Sequence, residues 1–331
     1  MLKKIRLAVN NMNLQKVRFV IQLLGFILFV YGGYFAITLG TSLPIFACPY
    51  NSQAAGACYL IPLQHQLGMP TQVLLGGAAI AVILGLLGFL FWFIFLNKAW
   101  CGYVCPFGTL QDWITSLRKS MSVRFSTYTQ PQFEKLSKIK YIFLAVVVVI
   151  PLLMGVGVLG NQWSASFCQM CPARIISPMF SGDFSQWTID FSTKTALFFT
   201  TLGVIFAGLF FVGSFVKKRF FCFFCPMSAL HYIFAKFSFV QLKKDGSKCT
   251  RCGDCYAVCD MQIKDIADDV QSTNILRDDC ILCLKCIAAC PEEDALHFDI
   301  FKLQAFKSTK VGFEKRMGIE KFKGKKDESS N

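Results

Sequence analysis

Four uninterrupted, charge-free apolar stretches dominate the first two thirds of the chain, at 19–40, 72–96, 141–160 and 195–216. None shows the polar interruptions of a half-exposed soluble helix or the alternation of a half-buried strand. A hydrocarbon layer about 30 Å thick takes roughly 20 helical residues to cross, so each run predicts a transmembrane helix. The run at 19–40 follows Lys3, Lys4, Arg6, Lys16 and Arg18, as a signal peptide's would. It is longer than a signal h-region and no small-residue cleavage site follows, so it reads as a retained anchor. Beyond residue 240 the pattern changes to short mixed segments that hold 16 of the chain's 20 Asp and Glu residues. The predicted organisation is a cytoplasmic N-terminal segment (1–18), a four-span membrane domain (19–240), a small water-soluble domain (241–300) and a basic polar tail (301–331) ending GKKDESSN, expected to fray.

Composition agrees, because 54% hydrophobic against 16% charged residues excludes an ordinary soluble protein. Orientation follows from Lys and Arg in the short connectors. The connector 97–140 carries seven (Lys98, Arg118, Lys119, Arg124, Lys135, Lys138 and Lys140), whereas 41–71 carries none and 161–194 only Arg174 and Lys194. Both termini are therefore expected on the cytoplasmic side of a bacterial or archaeal cytoplasmic membrane. The net charge of +14 is then a signature of topology and anionic lipid, and it implies no nucleic-acid partner.

The sixteen cysteines are spaced far from randomly. Residues 249–260 read CTRCGDCYAVCD and 280–291 read CILCLKCIAACP, each a C-x2-C-x2-C-x3-C run. Two such runs in one short domain are the pattern of an α+β two-cluster bacterial ferredoxin, in which the fourth thiolate of each run reaches the other cluster. This assigns one [4Fe-4S] cluster to Cys249, Cys252, Cys255 and Cys290, and the other to Cys280, Cys283, Cys286 and Cys259. Zinc is the alternative for any C-x2-C pair, but two four-thiol runs with this spacing favour iron and sulfide. Asp260 departs from the pattern, standing where the second run has Pro291.

Eight more cysteines lie in the membrane half. WCGYVCPFG at 100–108 follows the second apolar run and FFCFFCPMS at 221–229 follows the fourth. Cys48-Pro49 and Cys171-Pro172 form a second equivalent pair, so the membrane half reads as a two-span unit used twice in parallel. Such a repeat would bring Cys101, Cys105, Cys222 and Cys225 together on the cytoplasmic side. A further iron–sulfur cluster, a redox dithiol or soft-metal site, and unmetallated thiols all remain open for them. Cys48, Cys58, Cys168 and Cys171 fall on the outer side, where disulfides are the default and metal or cluster binding the alternative. After Cys105-Pro106, an apolar stripe of Leu110, Trp113, Ile114, Leu117 and Met121 predicts a helix that lies in the interface or packs on the soluble domain.

His65, His231 and His297 are the chain's three histidines, and none lies within an apolar run. They read as loop or surface residues, which leaves haem without paired intramembrane ligands. A hydrocarbon layer of about 30 Å is too thick for one electron-tunnelling step between its faces. A mobile quinone is therefore expected as the link.

Four spans, two cytoplasmic Cys-Pro motifs (Cys101/Cys105-Pro106 and Cys222/Cys225-Pro226) and a terminal two-cluster domain together resemble the NapH/MauN-type membrane ferredoxins. More broadly they resemble the polyferredoxin-like group that includes the nitrous-oxide reductase regulator and cytochrome oxidase assembly ferredoxins. The resemblance runs from about residue 15 to 300. It implies an electron-transfer subunit of a quinol dehydrogenase-type complex, taking electrons from the membrane quinone pool toward a partner ferredoxin-like subunit or periplasmic reductase. The C-x2-C spacing of Cys222/Cys225 departs from the C-x3-C usual there, and the outer C-x2-C-P at Cys168/Cys171 is additional. Two rival functions are an assembly factor that reduces a metal ion or disulfide for another metalloenzyme, and a redox sensor, for which no output domain is seen.

Overall fold

The computed structural model describes residues 14–40, 47–123, 126–235, 238–301 and 303–317. Lys3, Lys4, Arg6, Arg124 and the end of the tail from 318 lie outside the described residues. Helix α1 (Leu14–Tyr31) is followed by a thiol-bearing loop, α2 (Leu60–Leu67), α3 (Ala79–Leu96), a tight turn at Trp100–Val104 and α4 (Pro106–Ser120). The second half repeats that order. It runs through α5 (Gln130–Gly155), a thiol-bearing loop carrying α6 (Ser166–Met170) and α7 (Pro172–Met179), α8 (Lys194–Val216), a turn at Phe220–Phe223 and α9 (Pro226–Ala235). Four helices, α1, α3, α5 and α8, are long and apolar enough to cross a membrane.

Local chemistry sets the ends. Helix α5 starts at Gln130, well before its apolar run, because Thr129 and Gln132 form a reciprocal capping box and Lys135, Lys138 and Lys140 occupy its first turns. Helices α4, α7 and α9 each start at a proline directly after a cysteine, where the missing N–H costs nothing. Helix α3 buries only Phe89 and Phe93 and leaves Leu84, Leu87 and Phe91 outward, as a lipid-facing span does.

Helix α4 divides its apolar stripe: Leu110 and Ile114 pack against the buried core and Trp113 lies 4.8 Å from the Phe26 ring, while Leu117 and Met121 are 59% and 57% exposed. Gln111, Thr115 and Arg118 are buried as well and find their partners inside. Gln111 accepts from Phe221 N–H at 2.9 Å, and Arg118 donates to the carbonyls of Phe215 and Val216 at the end of α8.

Two loops, one from each half of the repeat, enter the helical bundle from the end opposite the soluble domain. The loop before α2 meets the C-terminal part of α1, where Asn51 donates to Val30 O at 2.9 Å and Gly32 lies against Ala55. It plunges far enough for Tyr59 to stack on Phe89, midway along α3, at 4.3 Å. The equivalent loop before α7 lies against Gly203, midway along α8. Non-helical backbone at this depth is tolerated only when enclosed in protein and internally hydrogen-bonded. Gln64 meets that need by accepting from Phe167 N–H and donating to Leu60 O.

The soluble domain is a three-stranded antiparallel sheet of β1 (Val240–Lys244), β2 (Leu296–Ile300) and β3 (Leu303–Lys307), with α10 (Asp254–Ala257), α11 (Asp265–Asp268) and α12 (Lys285–Ala289) between β1 and β2. A boundary at 300 is too early. Phe298 pairs with Phe306 across β2 and β3, Ser308 Oγ accepts from the Ala295 and Leu296 amides at 3.1 Å, and α13 (Lys310–Met317) follows. The short hydrophobic alternation of 303–307 is a strand signal that the lysine-rich tail around it hides.

Paired charges fasten this domain to the membrane half. Asp112 on α4 takes Arg219 Nε and a terminal nitrogen at 2.8 and 2.6 Å and Arg18 at 2.5 Å. Arg18 and Gln22 also donate to Gly102 O, and Arg219 donates to Cys101 O. Asp260 pairs with Lys285 in its own domain and with Arg18 and Lys218 of the membrane half. Lys140 at the start of the third span reaches Asp279 at 2.6 Å. Asp112→Asn leaves two buried guanidiniums underpaired and should cost about 3–5 kcal/mol, read as a lower unfolding temperature in detergent. Burial alone would raise the Asp112 carboxyl, but Arg219 and Arg18 hold it down at about 2. Since an unfolded aspartate titrates near about 4, this stabilisation is complete at neutral pH and is lost as the pH falls through about 2.

Candidate metal centres

Both cysteine runs of the soluble domain fold into the same backbone. Positive φ occurs at Arg251 and Gly253 in the first and at Leu282 and Leu284 in the second, the second and fourth residues after each leading cysteine. Such loops wrap successive thiols inward. Cys249, Cys252, Cys255 and Cys290 line one cavity of about 360 Å³, and Cys259, Cys280, Cys283 and Cys286 line another of about 350 Å³. Each run thus sends its last thiol to the other's cavity. Among the described residues, no three Cys, His, Asp or Glu side chains converge closely enough to hold a single metal ion. Four thiols set apart around a cavity suit a multi-iron cluster, so the donor set fits a [4Fe-4S] group. Burial pushes the Cys259 and Cys280 thiols up to about 12 and Cys255 to about 11, so as bare thiols they would stay protonated at neutral pH.

The inner membrane thiols Cys101, Cys105, Cys222 and Cys225 come together where the two Cys-Pro turns meet. Charge on Cys101, Cys105 or Cys222 is felt at Cys225, and burial pushes the Cys225 and Cys101 thiols up. The Trp100–Val104 turn presses directly on the second ferredoxin run. A Cβ on Gly102 would overlap Ile281 O and come within 3.8 Å of Cys283 N. Gly108 is equally constrained, by Arg219 and Cys101 O.

The remaining four, Cys48, Cys58, Cys168 and Cys171, line a single cavity of about 330 Å³. Expected on the outer side, they sit on the two plunging loops, and Cys48, Cys58 and Cys171 share one buried core with Cys105 and Cys225. None of the sixteen cysteines is disulfide-bonded, so the default disulfides are absent here. Gln64 Nε2 donates to Cys168 Sγ at 3.1 Å. The premise that the whole hydrocarbon thickness separates the two thiol groups does not hold, since the loops reach Phe89 and Gly203, midway along α3 and α8.

Several residues gain importance only through contacts. His231 is not a surface residue; it is fully buried, with its ring centroid 3.9 Å from that of Phe93 and Nε2 3.9 Å from Cys101 Sγ. His65 is exposed and His297 lies half-buried on β2. Lys98 is 2% exposed, and its Nζ makes no hydrogen bond. Burial and then Lys140 pull its pKa down, while Asp279 and Cys101 push it back; its charge also reaches Cys280. The only sequence signal for Lys98 is a lysine at the foot of a span, which reads as a topology residue. A buried cation favours the reduced, more negative form of a nearby cluster. Lys98→Met should lower a neighbouring cluster's potential by roughly 60 mV, a tenfold shift in a one-electron equilibrium. An EPR redox titration measures it, and unchanged potentials would remove Lys98 from that role.

Comparison with known proteins bears on both halves. A 4Fe-4S binding domain family matches twice, at residues 78–124 and 199–244, which contain Cys101/Cys105 and Cys222/Cys225. A 4Fe-4S dicluster domain family matches residues 241–291. An uncharacterised protein of Methanocaldococcus jannaschii is 29% identical over 208 residues, covering 62% of this chain but only 65% of the relative, just under two thirds of its length. The ferredoxin-type protein NapH of Haemophilus influenzae is 25% identical over 240 residues, 68% of each chain. The protein NirI of Paracoccus denitrificans is 27% identical over 205 residues, 60% of this chain and 25% of NirI. No solved structure matches the chain significantly. Matches thus fall on two of the spans and on the soluble domain: the chain is a helical membrane protein with 4Fe-4S ferredoxin domains, similar to the ferredoxin-type proteins of the NapH kind.

Proposed function

We propose that this chain is a membrane electron-transfer protein that exchanges electrons between the quinone pool and a partner redox protein, with its termini and soluble domain in the cytoplasm. One observation carries the reading. The turn holding Cys101 and Cys105 packs, through Gly102, on the backbone of Ile281–Cys283, so the inner thiols adjoin a ferredoxin cavity with no intervening layer of side chains. Cys249, Cys252, Cys255 and Cys290 would hold one [4Fe-4S] cluster, Cys259, Cys280, Cys283 and Cys286 a second, and Cys101, Cys105, Cys222 and Cys225 a third. When bound, these groups supply single-electron exchange.

The chain's residues set the conditions for that exchange. The crossing of Cys259 and Cys290 ties the two soluble sites at fixed separation. Lys244 lines the first cavity and is anchored by donating to the Ile266 and Ala267 carbonyls, each at 2.9 Å. The Asp260 and Asp279 ion pairs keep the domain seated on the inner thiols, which gives the departure at Asp260 a purpose. The basic residues of the connector 97–140 lie on the same side as the soluble domain, which supports the cytoplasmic placement.

A further, almost wholly apolar cavity supports the quinone part. It lies between the two thiol groups and is walled by Phe167, Met170, Phe206, Phe210, Phe221 and Phe224 among others. Aromatic, apolar walls suit a flat ring on a hydrocarbon tail. Phe206→Trp, which fills the cavity, should slow quinol-dependent reduction of the clusters by roughly tenfold or more. Stopped-flow absorbance follows that rate; reduction by dithionite should be unaffected, and an unchanged quinol rate would move the quinone elsewhere. Combined Cys101→Ser and Cys225→Ser should remove about four irons per chain and leave the two ferredoxin EPR signals in place. An unchanged iron count would sink the third cluster.

A further inference from the structure

We propose that Cys48, Cys58, Cys168 and Cys171 bind a further iron–sulfur cluster, deep in the membrane domain and in line with the inner thiol site. These four residues lie outside both segments matched by the 4Fe-4S family. They come from two loops in the two halves of the repeat and still line one cavity. At about 330 Å³ it is close in size to the two ferredoxin cavities of about 360 and 350 Å³. No three of the thiols approach closely enough to share one ion, which disfavours a tetrahedral zinc or a single copper. None is bonded to another, which disfavours a structural disulfide.

The surroundings of the sulfurs are those of a cluster site. Cys168 receives the Gln64 side-chain amide at 3.1 Å. Donors of this kind stabilise thiolate charge and tune a cluster's potential. Arg174, which also lines the cavity, is held over the Tyr50 ring at 4.8 Å and donates to Gln186 at 2.8 Å, so its charge offsets that of four thiolates. Cys168-x2-Cys171-Pro172 also repeats the form of Cys222-x2-Cys225-Pro226.

Position gives the site its use. Along α1 and the single turn that continues it (Gly32–Phe35), Gly25 meets Val104, beside Cys105, and Gly32 meets Ala55 of the outer loop; these glycines are seven residues apart, about 10 Å along a helix. On α8, Gly203 meets Gln169 and Met170, and Phe210 packs on Phe107 and Phe221; that pair is again seven residues apart, about 10 Å. Two helices thus place the thiol groups about 10 Å apart in depth, a distance that electrons cross directly. One electron would leave the inner centre as one enters the outer centre, with no bond made or broken and no proton moved. This use rests on the inner cluster of the reading above; the binding of iron at the site does not.

The test uses the full chain, purified anaerobically in detergent. Intact protein should carry about sixteen irons and as many sulfides, and combined Cys48→Ser and Cys171→Ser should lose about four of each with both ferredoxin EPR signals retained. An unchanged iron count in that variant, or one copper or zinc per chain released with it, overturns the proposal. If the variant does not fold, thiol alkylation of the intact chain decides. Cys48, Cys58, Cys168 and Cys171 should become reactive only after iron is chelated, and reactivity before chelation, or disulfides found by mass spectrometry, overturns it. Absence of all iron from the soluble domain would instead defeat the electron-transfer reading, so the two failures are distinguishable.

Discussion

Asp112 is the point on which the inner half of the molecule turns. Its carboxylate faces Arg219 and Arg18, both almost wholly buried, and a buried guanidinium without a partner is far costlier than a surface one. The pair does more than neutralise charge. Arg219 also holds Cys101 O and Arg18 holds Gly102 O, so one carboxylate ties the first span, α4, both Cys-Pro turns and the backbone between Cys101 and Cys105 into one unit. Arg18 then extends toward Asp260 and thus to the soluble domain. The four inner thiols owe their convergence to this cross-linking as much as to the helices that carry them.

The bilayer imposes the second constraint. Loops that leave the spans cannot expose backbone to lipid, so the thiol-bearing loops can reach mid-depth only by burying their polar groups in the bundle. Asn51 and Gln64 meet that demand, with Asn51 bonding Val30 O and Gln64 bonding across both loops to Phe167 N and Cys168. The result is a membrane domain in which thiols lie far closer in depth than a four-span topology suggests, separated by an aromatic cavity instead of a full hydrocarbon layer.

Much of this was legible in the residues. Spans showed because about 20 apolar positions in a row have few other uses. The ferredoxin domain showed because its ligand spacing is local, and a loop wrapped around a cubane leaves its period in the chain. How α4 divides its apolar stripe was not legible because an amphipathic stripe is a statement about polarity, and whether apolar means inside depends on the solvent. His231 was read as a loop or surface residue and Lys98 as a topology residue because neither lies in a motif, and their burial beside Cys101 depends on segments more than a hundred residues away or on the docked domain.

The sequence by itself therefore determined what is encoded by contiguous residues: four spans, a duplicated two-span unit, the Cys-Pro helix starts and two four-thiol runs. Only the tertiary structure decided which thiols share a cavity, how deep the loops run, where the soluble domain sits and why Asp260 replaces a proline. These depend on burial and charge pairing between segments distant in the chain, where each contact's value is set by the partner it meets and not by the residue alone.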